Sequence, residues 1–197
     1  MAARHADCLW TSMPQPSLIS FIAGSSGPWR IDRIDAVAGA TLPLAERMDI
    51  VQEADGIARC ETPEWALRGA TSNARYTERL EMDQLRAQQE ALGRPVATRA
   101  ALIPIRKSEA WWELAQDERR TIFEARSGHI AIGLDYLPEV ARRLHHCREL
   151  GESFDFLTWF EFAPEHEPAF DRLLARLRAT EEWRYVDREV EIRLARS

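Results

Sequence analysis

Strand, helix and strand patterns follow one another in residues 154–194, FDFLTWFEFAPEHEPAFDRLLARLRATEEWRYVDREVEIRL. Residues 154–162 are rich in aromatic side chains and predict a strand, and residues 185–194 alternate apolar and polar positions, which predicts another. Between them, residues 165–183 predict an amphipathic helix. Its apolar side chains at helical spacing are Phe170, Leu173, Leu174 and Leu177.

The residues before this stretch extend the same alternation of strands and helices. VARRLHHC (140–147) predicts a strand, joined to the next by the turn-forming ELGES, and TRAALIPIRKS (98–108) predicts another. Ser108 is expected to cap a short helix, and residues 116–134 predict a longer one. The order is therefore β-α-β-β-α-β, the ferredoxin-like order, in which helices cover one side of an antiparallel sheet. The predicted fold class is α+β.

The first half of the chain is less regular. Residues 1–16 look like a tail before a first strand in SLISFIAG (17–24), and PWRIDRIDAVAG (28–39) predicts a second strand. Residues 40–95 show only a helical piece around RYTERLEMDQ (75–84). We therefore expect one domain over residues 17–197, in which 17–95 form a reduced copy of the unit in 96–197.

Composition narrows the class of protein. The chain has 197 residues, 45% of them hydrophobic, which is enough for one sizeable core. Its net charge of −6 argues against a general binder of nucleic acid or of an anionic membrane, because both need a basic face. Three widely spaced cysteines and the absence of a signal-peptide core predict a cytoplasmic protein with reduced thiols.

His129 is a histidine among small and branched apolar residues, in ARSGHIAIGL (125–134). On a continuous helix its neighbours one turn away would be Ala125 and Gly133, so the imidazole would project from a shallow apolar dent. A flat macrocycle could enter such a dent. On this pattern alone, the alternative of a hydrogen-bonded core histidine carries more weight.

Arg142 is the second candidate. In an extended strand it shares a face with Val140 and Leu144, whereas Arg143 points the other way. A buried ion pair is the alternative, and individual arginines are weak evidence because Lys107 is the only lysine among the 26 basic residues. Two further groups are interpreted as structural. The paired tryptophans Trp111 and Trp112 are taken as core residues. The adjacent residues His145, His146 and Cys147 are taken as the end of a strand and not as metal ligands, because neighbouring side chains on a strand point in different directions.

The second half also resembles a known family. The segments KSEAWWELAQDERRTIFEARSGH (107–129), GLDYLPEVARRLHHCRELGESFDFLTWFEFAPEH (133–166) and TEEWRYVDREVEIRL (180–194) are similar to the chlorite dismutase family, in particular to its short, dimeric, cytoplasmic branch. The resemblance covers roughly residues 27–197 and is dense from Arg94 onward. It implies haem b as the cofactor and two ferredoxin-like units that form a dimeric α+β barrel, the first of them truncated.

The resemblance implies roles for individual residues. His129 matches the proximal ligand of the haem iron, and Arg142 matches the distal arginine. Glu182 matches the glutamate that hydrogen-bonds the proximal histidine, with Glu181 as its neighbouring alternative. The remaining matches are Lys107, Trp111 and Trp112 near the haem edge, Tyr76 in TSNARY as the propionate contact, and Gln89 in AQQEALGRP as a distal glutamine that hydrogen-bonds the arginine.

The activity implied by the resemblance is conversion of chlorite to chloride and dioxygen, through a ferryl centre and hypochlorite, in a homodimer. Two alternatives stay open. A coproheme decarboxylase of the same family would carry a glutamine in place of Arg142 and a reactive tyrosine on the strand in residues 98–108, which has none. A haem carrier or sensor without turnover would need His129 but no arginine at the open coordination site.

Overall fold

The structure of the chain, a computed structural model, describes residues 17–52, 62–71 and 77–196. It has eight strands: β1 (Leu18–Gly24), β2 (Trp29–Ala38), β3 (Arg47–Gln52), β4 (Trp65–Thr71), β5 (Arg99–Lys107), β6 (Ala141–His146), β7 (Phe156–Phe162) and β8 (Val186–Arg196). The α-helices are α1 (Arg79–Gln88), α2 (Glu109–Glu113), α3 (Gln116–Arg120), α4 (His129–Leu134) and α5 (Glu167–Arg178). A π-helix (Thr121–Arg126) and short 3-10 helices, one of them Glu182–Tyr185, complete the described part.

The strands form a closed antiparallel barrel in the order β1-β3-β2-β8-β5-β7-β6-β4. Each half of the chain contributes four consecutive strands in the same spatial order, β4-β1-β3-β2 and β8-β5-β7-β6, which is the ferredoxin-like arrangement. The two halves differ in their helices: β1 and β2 are joined by residues 25–28 alone, whereas α2, α3 and α4 lie between β5 and β6. The predicted α+β class with an antiparallel sheet is confirmed.

Two strands lie where the sequence looked irregular. β3 and β4 both fall within residues 40–95 and pair with β1 along most of its length. β4 carries a readable signal, because Trp65 and Leu67 are buried while Ala66 and Arg68 are exposed. β3 carries a weaker one, because the polar Asp49 is buried beside Met48. The interpretation of this region as irregular was wrong for both strands.

The single helix predicted over residues 116–134 is also wrong. The segment is broken into α3, the π-helix and α4, and Gly128 lies between the last two in the left-handed conformation, with φ of 61°. A left-handed residue ends a right-handed helix, so His129 starts a new one. Ala125 is therefore not one turn away from His129 on a continuous face, while Gly133, four residues further along α4, is.

Strand β7 is buried on both of its faces. Leu157 and Trp159 point into the barrel, where they pack in a cluster with Phe21 and other apolar residues. Phe160 and Phe162 point outward and pack against α5. A single chain therefore covers the apolar side chains on both faces of this aromatic strand.

Two further sequence expectations concern membranes and thiols. No helix in the described ranges is long and apolar enough to cross a membrane. Cys147 is a free, buried thiol, and burial raises its pKa well above the ordinary value. Cys8 and Cys60 lie outside the described residues.

Candidate functional site

The candidate site lies between the outer face of the sheet of the second half and the helices that follow β5. Because side chains alternate along a strand, one face of β6 and β7 presents Arg142 and Leu144 beside Thr158 and Phe160. These side chains line two adjoining cavities of about 560 and 480 Å³. Both cavities are also lined by Ile105, His129 and Trp183. His129 therefore stands where the two spaces meet.

The His129 ring is held from two sides. It stacks on Phe123 with ring centroids 4.4 Å apart and lies nearly parallel to Trp183 at 6.3 Å. Its Nδ1 lies 2.6 Å from Oε2 of Glu182, so the hydrogen-bond network assigns the proton to Nδ1. Among the described residues, Nε2 has no hydrogen-bond partner. The imidazole therefore presents Nε2 to the cavities in a fixed orientation, as a metal ligand would.

Glu182 and Lys107 form a buried ion pair behind the histidine. Lys107 Nζ lies 2.7 Å from Oε1 of Glu182, and each residue is only 4% exposed. The ammonium also lies over the rings of Trp111 and Trp183, at 4.8 and 5.4 Å from their centroids. Burial alone raises the pKa of Glu182, but the charges of His129 and Lys107 and their hydrogen bonds outweigh it and lower the pKa to about 2. Glu182 is therefore a permanent anion at neutral pH.

The two glutamates that the sequence left as alternatives occupy different places. Glu182 is buried against His129, as described above. Glu181 points to the surface and pairs with Arg126, with 3.1 Å between Oε1 and Nη1. Of the two, the structure brings only Glu182 to the histidine.

Arg142 reaches across the site from the sheet to helix α4. Its guanidinium lies where a Cβ atom at Gly133 would be, so the arginine side chain spans the distance between the strand and the helix. Within the described residues it makes no hydrogen bond or ion pair, and burial lowers its pKa to about 10. The side chain is therefore a cation at neutral pH that faces the 480 Å³ cavity together with His129.

The structure brings some of the other predicted residues to the two cavities and leaves others away from them. Trp111 is buried and lines the 560 Å³ cavity. Trp112 stacks on Phe156, which lines the same cavity, and its indole N–H lies 3.3 Å from Asp155. Gln89 is exposed just beyond α1 and lines neither cavity. Tyr76 lies outside the described residues.

Sequence reasoning missed the aromatic residues that frame the histidine. Phe123 lies in the π-helix, whose periodicity hides it from a helical pattern. Trp183 directly follows Glu182 and lines both cavities. Thr158 could have been predicted from the sequence, because alternation along the strand places it on the same face as Phe156 and Phe160.

The adjacent histidines of β6 diverge, as predicted. His146 lines the 560 Å³ cavity, whereas His145 points into the barrel against the edge of the Phe21 ring. Burial lowers the pKa of His145 to about 4. Neither residue belongs to a metal cluster, since the described residues contain no group of three or more His, Cys, Asp or Glu side chains that could hold a metal ion.

The donor set decides which kind of group the site fits. A bare transition-metal ion needs three or four protein ligands, and the described residues contain no such group around His129, which lies in a largely apolar cleft. A single imidazole with a carboxylate behind it suits an iron ion whose remaining ligands would come from a macrocycle. The apolar walls, from Ile105 and Phe156 to Trp111, suit a flat porphyrin. The residues present therefore fit haem.

The model of the family described as "Chlorite dismutase" matches residues 43–197. A curated chlorite dismutase from Ideonella dechloratans is 33% identical over 86 residues, which make up 44% of this chain and 28% of the relative. The chain thus matches less than a third of the length of that relative.

Solved structures extend the similarity to most of the chain. A dimeric chlorite dismutase from Nitrobacter winogradskyi is 55% identical, with a TM-score of 0.84 over 91% of this chain and 99% of that one. A mutant chlorite dismutase from Candidatus Nitrospira defluvii, solved in complex with cyanide, is 19% identical, with a TM-score of 0.66 over 94% and 92% of the two chains. The latter likeness shows the common fold. With a family model that covers most of its length and a relative at 55% identity, the chain belongs to the chlorite dismutase family.

Proposed function

We propose that the chain is a haem-dependent chlorite dismutase that converts chlorite to chloride and dioxygen. The observation that carries the proposal is the pairing of two groups across one space: the imidazole of His129 on α4, and the guanidinium of Arg142 on β6, which has no partner among the described residues. Haem b, when bound, would supply the redox chemistry that no side chain of the site can perform.

The chain's own residues would each have a distinct part. His129 would hold the iron through Nε2, while the carboxylate of Glu182 keeps the proton on Nδ1 and makes the imidazole a stronger donor. Lys107 would fix that carboxylate by its ion pair. These three residues would then set the electron density at the metal without touching the substrate.

Arg142 would interact with the substrate and not with the metal. Chlorite is a small anion and the chain is net acidic, so a local cation is needed to attract it. The guanidinium would bind chlorite on entry and hold the hypochlorite anion that remains when one oxygen atom has been removed. Apolar neighbours such as Phe160 and Leu174 would limit the entry of water and the escape of that anion.

The experiment that tests the proposal is measurement of oxygen on adding chlorite to the purified, haem-loaded protein. Oxygen and chloride formed in equal amounts would support it. Haem binding without oxygen release would favour the carrier or sensor. The decarboxylase alternative is not favoured, because the face of β5 that lines the cavities presents Ile103, Ile105 and Lys107 and carries no tyrosine.

We also propose that residues 17–95 and 96–197 are two ferredoxin-like units of one domain, the first with fewer helices, and that residues 1–16 are a tail. A homodimer is proposed because the Nitrobacter relative is described as dimeric. Light scattering at micromolar concentration would test it, and a monomer would contradict it. The roles of Trp112, Tyr76 and Gln89 around the haem rest on the sequence resemblance alone, and Gln89 lines neither cavity in this structure, whereas Trp111 lines the 560 Å³ cavity. A cytoplasmic location is proposed from the cysteine pattern and the family resemblance.

A further inference from the structure

His129 is the first residue of a helix of only six residues. The residue before it, Gly128, is the N-cap and has no side chain with which to accept a hydrogen bond from the first turn. The start of α4, and with it the direction in which the imidazole projects, must therefore be fixed by a group from elsewhere.

Glu124 supplies that group. Its Oε2 accepts a hydrogen bond from the backbone N–H of Ile130 at 2.7 Å, and its Oε1 accepts one from Ala131 at 3.3 Å. Its backbone carbonyl accepts a third from Gly128 at 2.8 Å. One residue of the π-helix thus binds amides on both sides of His129.

The same segment also holds the second member of the site. The hydroxyl of Ser127 accepts a hydrogen bond from the backbone N–H of Glu182 at 2.9 Å, and both residues are buried. Residues 124–127 therefore join the start of α4 to the turn that carries Glu182. A displacement of this segment would change the contact between His129 and Glu182 from both ends.

We infer that Glu124 is a positioning residue, which acts through the first turn of α4 to orient the His129 imidazole that would hold the iron. The inference rests on the proposed haem binding. Loss of the carboxylate would leave two amides of the first turn without their acceptor and let the imidazole tilt away from Glu182. The negative charge at the positive end of α4 adds to the effect, because it offsets the helix dipole next to the ligand.

The test compares Glu124→Ala and Glu124→Gln with Glu118→Ala. Glu118 is the matched control, because its Oε2 accepts a hydrogen bond at 2.7 Å from the N-cap amide of α3, a helix that carries no site residue. Two properties of the haem-loaded proteins are measured: the rate of haem transfer to excess apomyoglobin, and the iron–histidine stretching frequency of the ferrous form. We expect Glu124→Ala to speed haem loss by roughly tenfold and to shift the frequency, as loss of outer-shell contacts commonly does.

Glu124→Gln retains one carbonyl acceptor and should lie between the alanine variant and the parent, whereas Glu118→Ala should match the parent in both measurements. A merely structural role would lower thermal stability in the Glu124 and Glu118 variants alike and leave the frequency unchanged, which would overturn the inference. If Glu124→Ala does not fold, NMR spectra of the haem-free parent and of haem-free Glu124→Gln are compared instead. The amide proton of Ile130 should resonate further upfield in Glu124→Gln than in the parent, and an unchanged chemical shift would overturn the inference. A parent that binds no haem overturns the proposed function as well.

Discussion

The guanidinium of Arg142 occupies the space that a side chain at Gly133 would need. Gly133 lies one turn beyond His129 on α4, so the guanidinium of the sheet residue lies close to the helix that carries the imidazole, and both groups line one cavity. Glycine at this position leaves room for the flexible end of the arginine side chain, and its backbone is not in the left-handed conformation.

Arg142→Ala should leave haem content close to normal, because the side chain makes no hydrogen bond or ion pair with His129 or Glu182. It should increase the escape of hypochlorite, because the cation that holds this anion is gone. Oxygen release should fall by an amount that corresponds to about 1 to 3 kcal/mol, and the haem should bleach after fewer turnovers. An oxygen electrode with a chlorine-trapping reagent measures both effects. Arg143→Ala is the matched control, since Arg143 is exposed on the opposite face of β6. Equal trapping in the two variants would make the Arg142 guanidinium structural.

His129→Ala should give a folded protein with little haem. The bond from Nε2 is the main directed attachment of the iron, whereas alanine is well tolerated at the start of a helix. Far-UV circular dichroism measures whether the variant is folded, and the Soret absorbance per chain measures how much haem it binds. His166→Ala, outside both cavities, should retain the full Soret band. A full Soret band with unaltered ligand field in His129→Ala would refute the assignment of the ligand.

Glu182→Gln should keep haem bound but raise the reduction potential of the iron, because the imidazole loses its anionic partner and becomes a weaker donor. It should also lower the free energy of unfolding by about 3 to 5 kcal/mol, since Lys107 is left as a buried charge without its counter-ion. Spectroelectrochemistry and chemical denaturation measure these quantities. Glu181→Gln alters only an exposed pair with Arg126 and should change neither. An unchanged potential in Glu182→Gln would contradict the role given to this carboxylate.

The haem-free protein should lose stability in mild acid through His145. In the folded chain burial lowers the pKa of this histidine to about 4, against 6.5 for an exposed imidazole. As the pH falls below 6.5 the unfolded chain takes up a proton that the folded chain does not take up until about pH 4. The stabilisation is therefore complete above pH 6.5 and is lost towards pH 4, by about 3 kcal/mol in total. Denaturation between pH 4 and 7.5 should show this slope in the parent and a flatter one in His145→Leu. If the parent and His145→Leu lose stability equally as the pH falls, a group other than His145 is responsible for the loss.

The second half of the fold could be predicted from sequence because its strands and α5 have regular periodicity. The face of Arg142 followed from strand alternation alone. The contact between His129 and Glu182 could not be derived from spacing, since 53 residues and a complete strand pair separate them. The break before His129 was missed because a single glycine, here in the sequence Arg126-Ser127-Gly128, is compatible with a continuous helix. Only the left-handed conformation of Gly128 reveals the start of a new one.

Closure of the barrel has a consequence for how the chain can associate. Each of the eight described strands has a neighbour on both sides, so a second copy finds no edge strand to extend by backbone hydrogen bonds. A dimer of this chain must instead be held by side chains on the outer surface. Its dissociation constant should then respond to single surface substitutions and to ionic strength, and subunits should exchange between dimers without unfolding of any strand.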